Sequence, residues 1–217
     1  MKDSAKRERV LTAAGRVFLR YGFKRATMGK IAKVAQISRP AVYLIFPSKE
    51  EAFTAVLGQV LRQTLEQIRQ GIGGFPDMRG KLLFAFDVWY VRPFELMQAS
   101  PDTKNLYDTH YEFAEEVATM ALSVFARLVA DLLEPRVEKQ ARVELSSGQI
   151  AEVLIGAIAG FKNTAKTPKE LRHLIGNLLT VVLASLEEGT SPVDSSRAIS
   201  TDEAVAGAPS LQEPQEC

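Results

Sequence analysis

Arg39, Tyr43 and Lys49 lie within one short basic segment, and together they carry the chemistry of polyanion contact. An arginine can give paired N–H bonds to the O6 and N7 edge of guanine, worth roughly 1–3 kcal/mol of discrimination against another base. A tyrosine hydroxyl and a lysine ammonium hold phosphate oxygens whatever the sequence, which fixes register rather than specificity. Ala41 and Leu44, interleaved with them, offer the apolar contact that suits a thymine methyl, and Ser38 adds a hydroxyl.

The charge distribution supports that chemistry at one end of the chain only. Residues 1–50 hold twelve Lys/Arg against three Asp/Glu, whereas residues 51–217 hold fifteen against twenty-three. The net charge of +1 conceals this asymmetry. A lopsided basic segment suggests nucleic acid as a partner, but charge without a docking element is only a footprint.

The docking element is legible in the periodicity. From Ala5 to Tyr21 the apolar residues Val10, Ala13, Ala14, Val17 and Phe18 recur at three- and four-residue steps, and Gly22 is expected to stop that helix. Thr27 suits the N-cap of a second helix reaching Ala35. After a break at Gln36-Ile37, Ser38 can cap a third helix to Phe46, with Pro40 in its first turn, where a missing N–H costs little. Ser48-Lys49-Glu50-Glu51 then reads as a capping box opening a long helix to about Gln70. Three short helices, the last pair separated by a tight turn, make a helix-turn-helix whose third helix enters the major groove. On it Val42 and Phe46 share the inward side, leaving Ser38, Arg39, Ala41, Tyr43 and Leu44 outward.

The segments Thr27-Met28-Gly29-Lys30-Ile31-Ala32-Lys33-Val34-Ala35, Ile37-Ser38-Arg39-Pro40-Ala41-Val42-Tyr43 and Phe46-Pro47-Ser48-Lys49-Glu50 together resemble the N-terminal signature of the tetracycline-repressor (TetR) family. The resemblance covers about residues 8 to 53. It implies a homodimeric, all-helical transcription factor, usually a repressor, released from double-stranded operator DNA by a small molecule. By position it implies that Thr27, Tyr43 and Lys49 contact phosphates and that Ser38, Arg39, Ala41 and Leu44 face the bases or their flanking phosphates. The sequence departs from the family pattern at Gln36, which takes a turn position often held by glycine and is expected at positive φ. It departs again at Pro40 and at Leu44-Ile45, where a polar-aromatic pair is usual.

Beyond residue 50 the pattern stays helical, so the expected fold is all-α. GIGGFPDMRG (71–80) reads as a loop, Lys81 to Ala99 as a helix kinked or split by Pro93, and about Lys104 to Glu134 as a helix ended by Pro135. Ser146 to Gln149 offers a second capping box, and Thr167-Pro168-Lys169-Glu170 starts a last helix. Residues 1–47 are expected to form the DNA-binding domain, 48–188 an effector and dimerisation domain, and 189–217 a disordered tail without aromatics. Ten of the seventeen aromatic residues fall between Phe75 and Phe125. A cavity lined by Phe86, Trp89, Tyr90, Phe94, Tyr107, Tyr111 and Phe113, with His110 as an orienting group, would take an apolar or aromatic effector. Plain core packing, with the second half a ligand-independent protein-interaction module, is the competing reading. Gly156, Ala157, Ala159, Gly160 and Gly176 beside broad apolar faces suggest that the last two helices pair with a second copy.

Other classes find no support. No run of about eighteen apolar residues exists to span a bilayer. The opening MKDSAKRER is charged where a secretory signal is apolar, so a cytoplasmic location is expected. Cys217 stands alone, and His110 and His173 are the only histidines. With no phosphate-cradling glycine loop either, neither an enzyme nor a cofactor or metal is expected.

Overall fold

The computed structural model describes residues 2–99, 112–138 and 144–186. Among them there are helices and no strand. In chain order they are α1 (Lys2–Arg25), α2 (Met28–Ala35), α3 (Arg39–Tyr43), α4 (Lys49–Gly71), a 3-10 turn (Ile72–Gly74), α5 (Met78–Phe86), a π-helical turn (Asp87–Val91), α6 (Arg92–Ala99), α7 (Glu112–Val137), α8 (Ser147–Thr164) and α9 (Pro168–Ser185). The protein is therefore all-α, with an N-terminal helix-turn-helix followed by a helical C-terminal part. Tyr107, His110, Tyr111 and the expected tail lie outside the described residues.

Local capping chemistry sets most helix starts. Thr27, Ser38 and Ser48 each place a side-chain oxygen on the backbone N–H three residues on, at 3.2, 3.4 and 3.0 Å. Each hydroxyl replaces water for an otherwise orphaned donor. At α8 both halves of the box form: Ser146 accepts from the Gln149 N–H, and the Gln149 side chain accepts from the Ser146 N–H. Thr167 accepts from the Glu170 N–H, with Pro168 in the first turn of α9.

Five boundaries differ from the sequence-based expectation. α3 ends at Tyr43 rather than Phe46, although the Phe46 N–H still bonds the Val42 carbonyl at 2.9 Å. Gly22 breaks α1 at φ 67°, ψ 166°, but helical geometry resumes beyond it to Arg25. α5 begins at Met78 rather than Lys81, because Asp77 caps it by accepting from the Gly80 N–H at 2.7 Å. Pro93 follows the π-helical turn instead of kinking a continuous helix. Its missing N–H and ring bulk are absorbed by wider i→i+5 pairing, with the Arg92 N–H bonded to the Asp87 carbonyl. Pro135 lies inside α7, which runs on to Val137; one lost bond in a last turn does not end a helix whose Leu133 is fully buried.

The apolar interior forms two clusters. In the head, Val10, Ala14, Phe18, Ile31, Val42, Phe46 and Phe53 pack α1, α2 and α3 onto the first turns of α4. In the second half, Leu82, Phe86, Phe125, Leu133, Leu154, Ile158, Leu171 and Leu179 join α5, α7, α8 and α9. α4 contributes to both, through Phe53 at one end and Leu65 and Ile68 at the other.

Candidate nucleic-acid interface

α3 is short, and its start is held in place. Ser38 caps it, Val42 is wholly buried beneath it, and Gln36 makes the turn before it at φ 55°, ψ 44°. That left-handed conformation costs a non-glycine residue on the order of 1 kcal/mol. It is held by hydrogen bonds from the Gln36 N–H to the Ala32 and Lys33 carbonyls. The expected strain is thus present, and it aims α3 away from α2.

The outward side of α3 carries the residues named for base contact. Leu44 is 85% exposed and Tyr43 40%. Ser38 and Arg39 are exposed, and Ala41 is half-buried. The Arg39 guanidinium donates to the Tyr43 hydroxyl at 3.2 Å and lies 5.6 Å from its ring centre. One turn of helix thus brings the two together, and Tyr43 orients the arginine before any partner arrives.

Thr27 and Lys49, the residues expected to reach phosphates, flank that helix. Thr27 is exposed and caps α2, whose first turn carries no acidic residue. The α2 N-terminus therefore keeps its attraction for anions. Lys49 is less free than its sequence position suggests. Its ammonium donates to the Phe23 carbonyl at 3.1 Å and sits 4.2 Å from the Phe23 ring centre. It ties α4 to the end of α1, so any phosphate it holds is positioned against both.

Lys30 was not singled out by the sequence. It donates to the Arg25 carbonyl at 2.8 Å and covers the Tyr21 ring at 4.2 Å, placing a cation beside the α2 N-terminus. A lysine in the first turn of a helix opposes the helix dipole, and that misfit was the available signal.

Residues 10–56 match the family model described as bacterial regulatory proteins, tetR family. The activator FasR of Mycolicibacterium smegmatis is 33% identical over 85 residues, 39% of each chain. The regulator RutR of Escherichia coli K12 is 40% identical over 58 residues, 27% of each. Over residues 10–56 the chain is similar to the TetR family. These matches span less than half the length of either curated relative. The fold likeness is wider: Thermus thermophilus FadR, a TetR-family repressor solved with lauroyl-CoA, superposes with TM-score 0.57 over 86% of this chain and 97% of that one, at 24% identity.

The aromatic residues expected around an effector divide into separate places. Phe86, Trp89, Tyr90 and Phe94 gather on the inner side of α5, the π-helical turn and α6. Trp89 stacks on Phe125 with ring centres 4.4 Å apart and planes 4° from parallel, while Phe86 meets Phe125 edge-on at 5.6 Å. Burial pushes the Tyr90 phenol up to about 12, and its hydroxyl lies 3.5 Å from the Ile155 carbonyl. Phe113 stands apart from that group. It packs against Phe23 at 5.2 Å and Phe53 at 6.0 Å in the head, and its carbonyl accepts from the Thr54 hydroxyl. Its neighbours come from α1 and α4, which chain position could not disclose. His173 is exposed on α9 beside Asn177. Among the described residues no group of three potential metal ligands occurs, and no helix is long and apolar enough to cross a membrane.

Proposed function

We propose that two copies of the chain read a two-half-site operator through α3, with Arg39 reading guanine, Ser38, Ala41 and Leu44 meeting the neighbouring bases, and Thr27, Tyr43 and Lys49 holding phosphates. The chain represses the genes it binds beside and lets go when a small molecule occupies the second half. The observation that carries this reading is the outward face of α3: a large apolar side chain left 85% exposed beside an oriented arginine, on the most basic part of the chain. Leu44 belongs to neither apolar cluster, so its side chain is available to a partner.

Pairing through α8 and α9 is supported by what they leave uncovered. Val153 is 56% exposed and Val181 69%. A Cβ added at Gly156 or Gly160 would meet nothing within 4 Å. These positions make a smooth apolar face that a second copy covers, giving half-sites about one helical turn of DNA apart, or a multiple of it. The effector acts by its differential affinity for two arrangements of α4, which joins both clusters. That the FadR relative is a repressor carrying an acyl-CoA supports such a ligand-responsive role.

Arg39→Ala is expected to flatten base preference at one operator position by about 1–3 kcal/mol. Lys49→Ala weakens all sequences alike and lowers the salt dependence of binding. Anisotropy titrations against a set of single-base operator variants at several salt concentrations measure both. Unchanged preference and unchanged salt slope would show that another face docks.

A further inference from the structure

The side of α5 turned away from the buried aromatics carries a pouch of about 320 Å³, a volume at the lower end of small-molecule sites. Leu83, Phe84 and Asp87 line it from α5 and the π-helical turn, Phe75 from the connection before α5, and Arg172 and Ile175 from α9. Two glycines allow its aromatic wall. A Cβ on Gly71 would collide with the Phe84 ring, and one on Gly80 would come 3.0 Å from the ring of Phe75. The rings themselves lie 5.2 Å apart, tilted by 35°.

The polar end of the pouch is charge-balanced. Asp87 accepts from Arg172 Nε at 2.7 Å and from Arg92 Nε at 3.1 Å, while Arg172 also donates to Glu95 at 3.3 Å. Of these four groups Asp87 and Arg172 line the pouch, and Arg92 and Glu95 complete the network that balances them. The arginines keep further N–H donors and the carboxylates further lone pairs, so donor and acceptor are offered side by side. A ligand bearing one net charge would leave that charge uncompensated in a partly apolar site, which is costly. Nor does the aromatic wall call for a cation, since the Arg92 guanidinium already lies 5.5 Å from the Phe84 ring centre. We propose that this pouch binds a small uncharged aromatic molecule whose polar end carries a donor and an acceptor together, as an aryl amide does. The proposal rests on the reading that the second half takes a small molecule, and it names the place and chemical class.

The test is a calorimetric comparison of benzamide, benzoate and benzylamine on the full-length protein, with operator affinity measured on the same samples. Benzamide is expected to bind about tenfold more tightly than either charged analogue. Arg172→Gln, a change at a half-exposed side chain, leaves two carboxylates against one arginine and should move the preference to benzylamine. Asp87→Asn leaves two arginines against one carboxylate and should move it to benzoate. No binding of any of the three at millimolar concentration, no advantage for benzamide, or a preference that neither variant moves would overturn the proposal. Benzamide binding that leaves operator affinity unchanged supports the pouch and contradicts only its part in regulation. Loss of operator binding by unliganded wild-type protein would count against the DNA-binding reading alone.

Discussion

Gly22→Val is expected to lower the melting temperature by roughly 6–12 °C and to remove operator binding. Gly22 sits at φ 67°, ψ 166°, and among the described residues it is the one glycine at positive φ. That backbone region is closed to nearly every side chain, and a β-branched residue forced into it costs about 3 kcal/mol or more. In a chain of this size each kcal/mol is worth about 2–4 °C. The break matters because Phe23, the next residue, is where the head converges: its carbonyl receives Lys49, and its ring meets Phe18, Phe53 and Phe113. Moving it displaces the start of α4 and the platform under α3. Gly73→Ala is the matched control, since that glycine is exposed and an added Cβ meets nothing within 4 Å; a shift beyond about 1 °C is not expected there. Thermal unfolding by circular dichroism measures both, and equal behaviour of the two variants would remove the assigned role of Gly22.

Phe125→Ala is expected to destabilise by about 3–5 kcal/mol, the usual range for emptying a phenylalanine site in a core. Phe125 is fully buried and is the ring shared by Phe86, Trp89 and Tyr90. Its loss opens a cavity on one side and strips Trp89 of its stacking partner on the other. Trp89 is the only tryptophan, so its emission reports this site without interference. The expected result is a lower denaturation midpoint together with a changed folded-state emission, while Phe125→Leu keeps much of the volume and loses less. A cost under about 1 kcal/mol with unaltered emission would mean that the ring is not the centre of that cluster.

What sequence could and could not disclose follows the range of the interactions concerned. The caps at Thr27, Ser38, Ser48, Ser146 and Thr167 were legible because each is settled within three residues. Buried Val42 and exposed Tyr43 and Leu44 followed from helical period alone. The Lys49–Phe23 tether spans 26 positions and the Phe113–Thr54 bond 59, and no local pattern encodes either. The π-helical turn hid for a related reason. Pro93 announces a disturbance, but whether the chain kinks or widens its pairing depends on what α5 and α6 pack against. Among the aromatics, composition marks a stretch of chain but could not assign its rings to the inner core, the outer pouch or the head.

The central claim is that α3, presented on the basic head, reads specific base pairs. The most direct measurement is repeated selection of random-sequence duplexes by the purified full-length protein, first at low and then at physiological salt, followed by sequencing. The account predicts an enriched sequence with two inverted half-sites centred one helical turn, or a multiple of it, apart. It also predicts that Arg39→Ala blurs one position in each half. Recovery of a pool no different from the input, bound at low salt and released at higher salt, would leave only the charge footprint and contradict the claim.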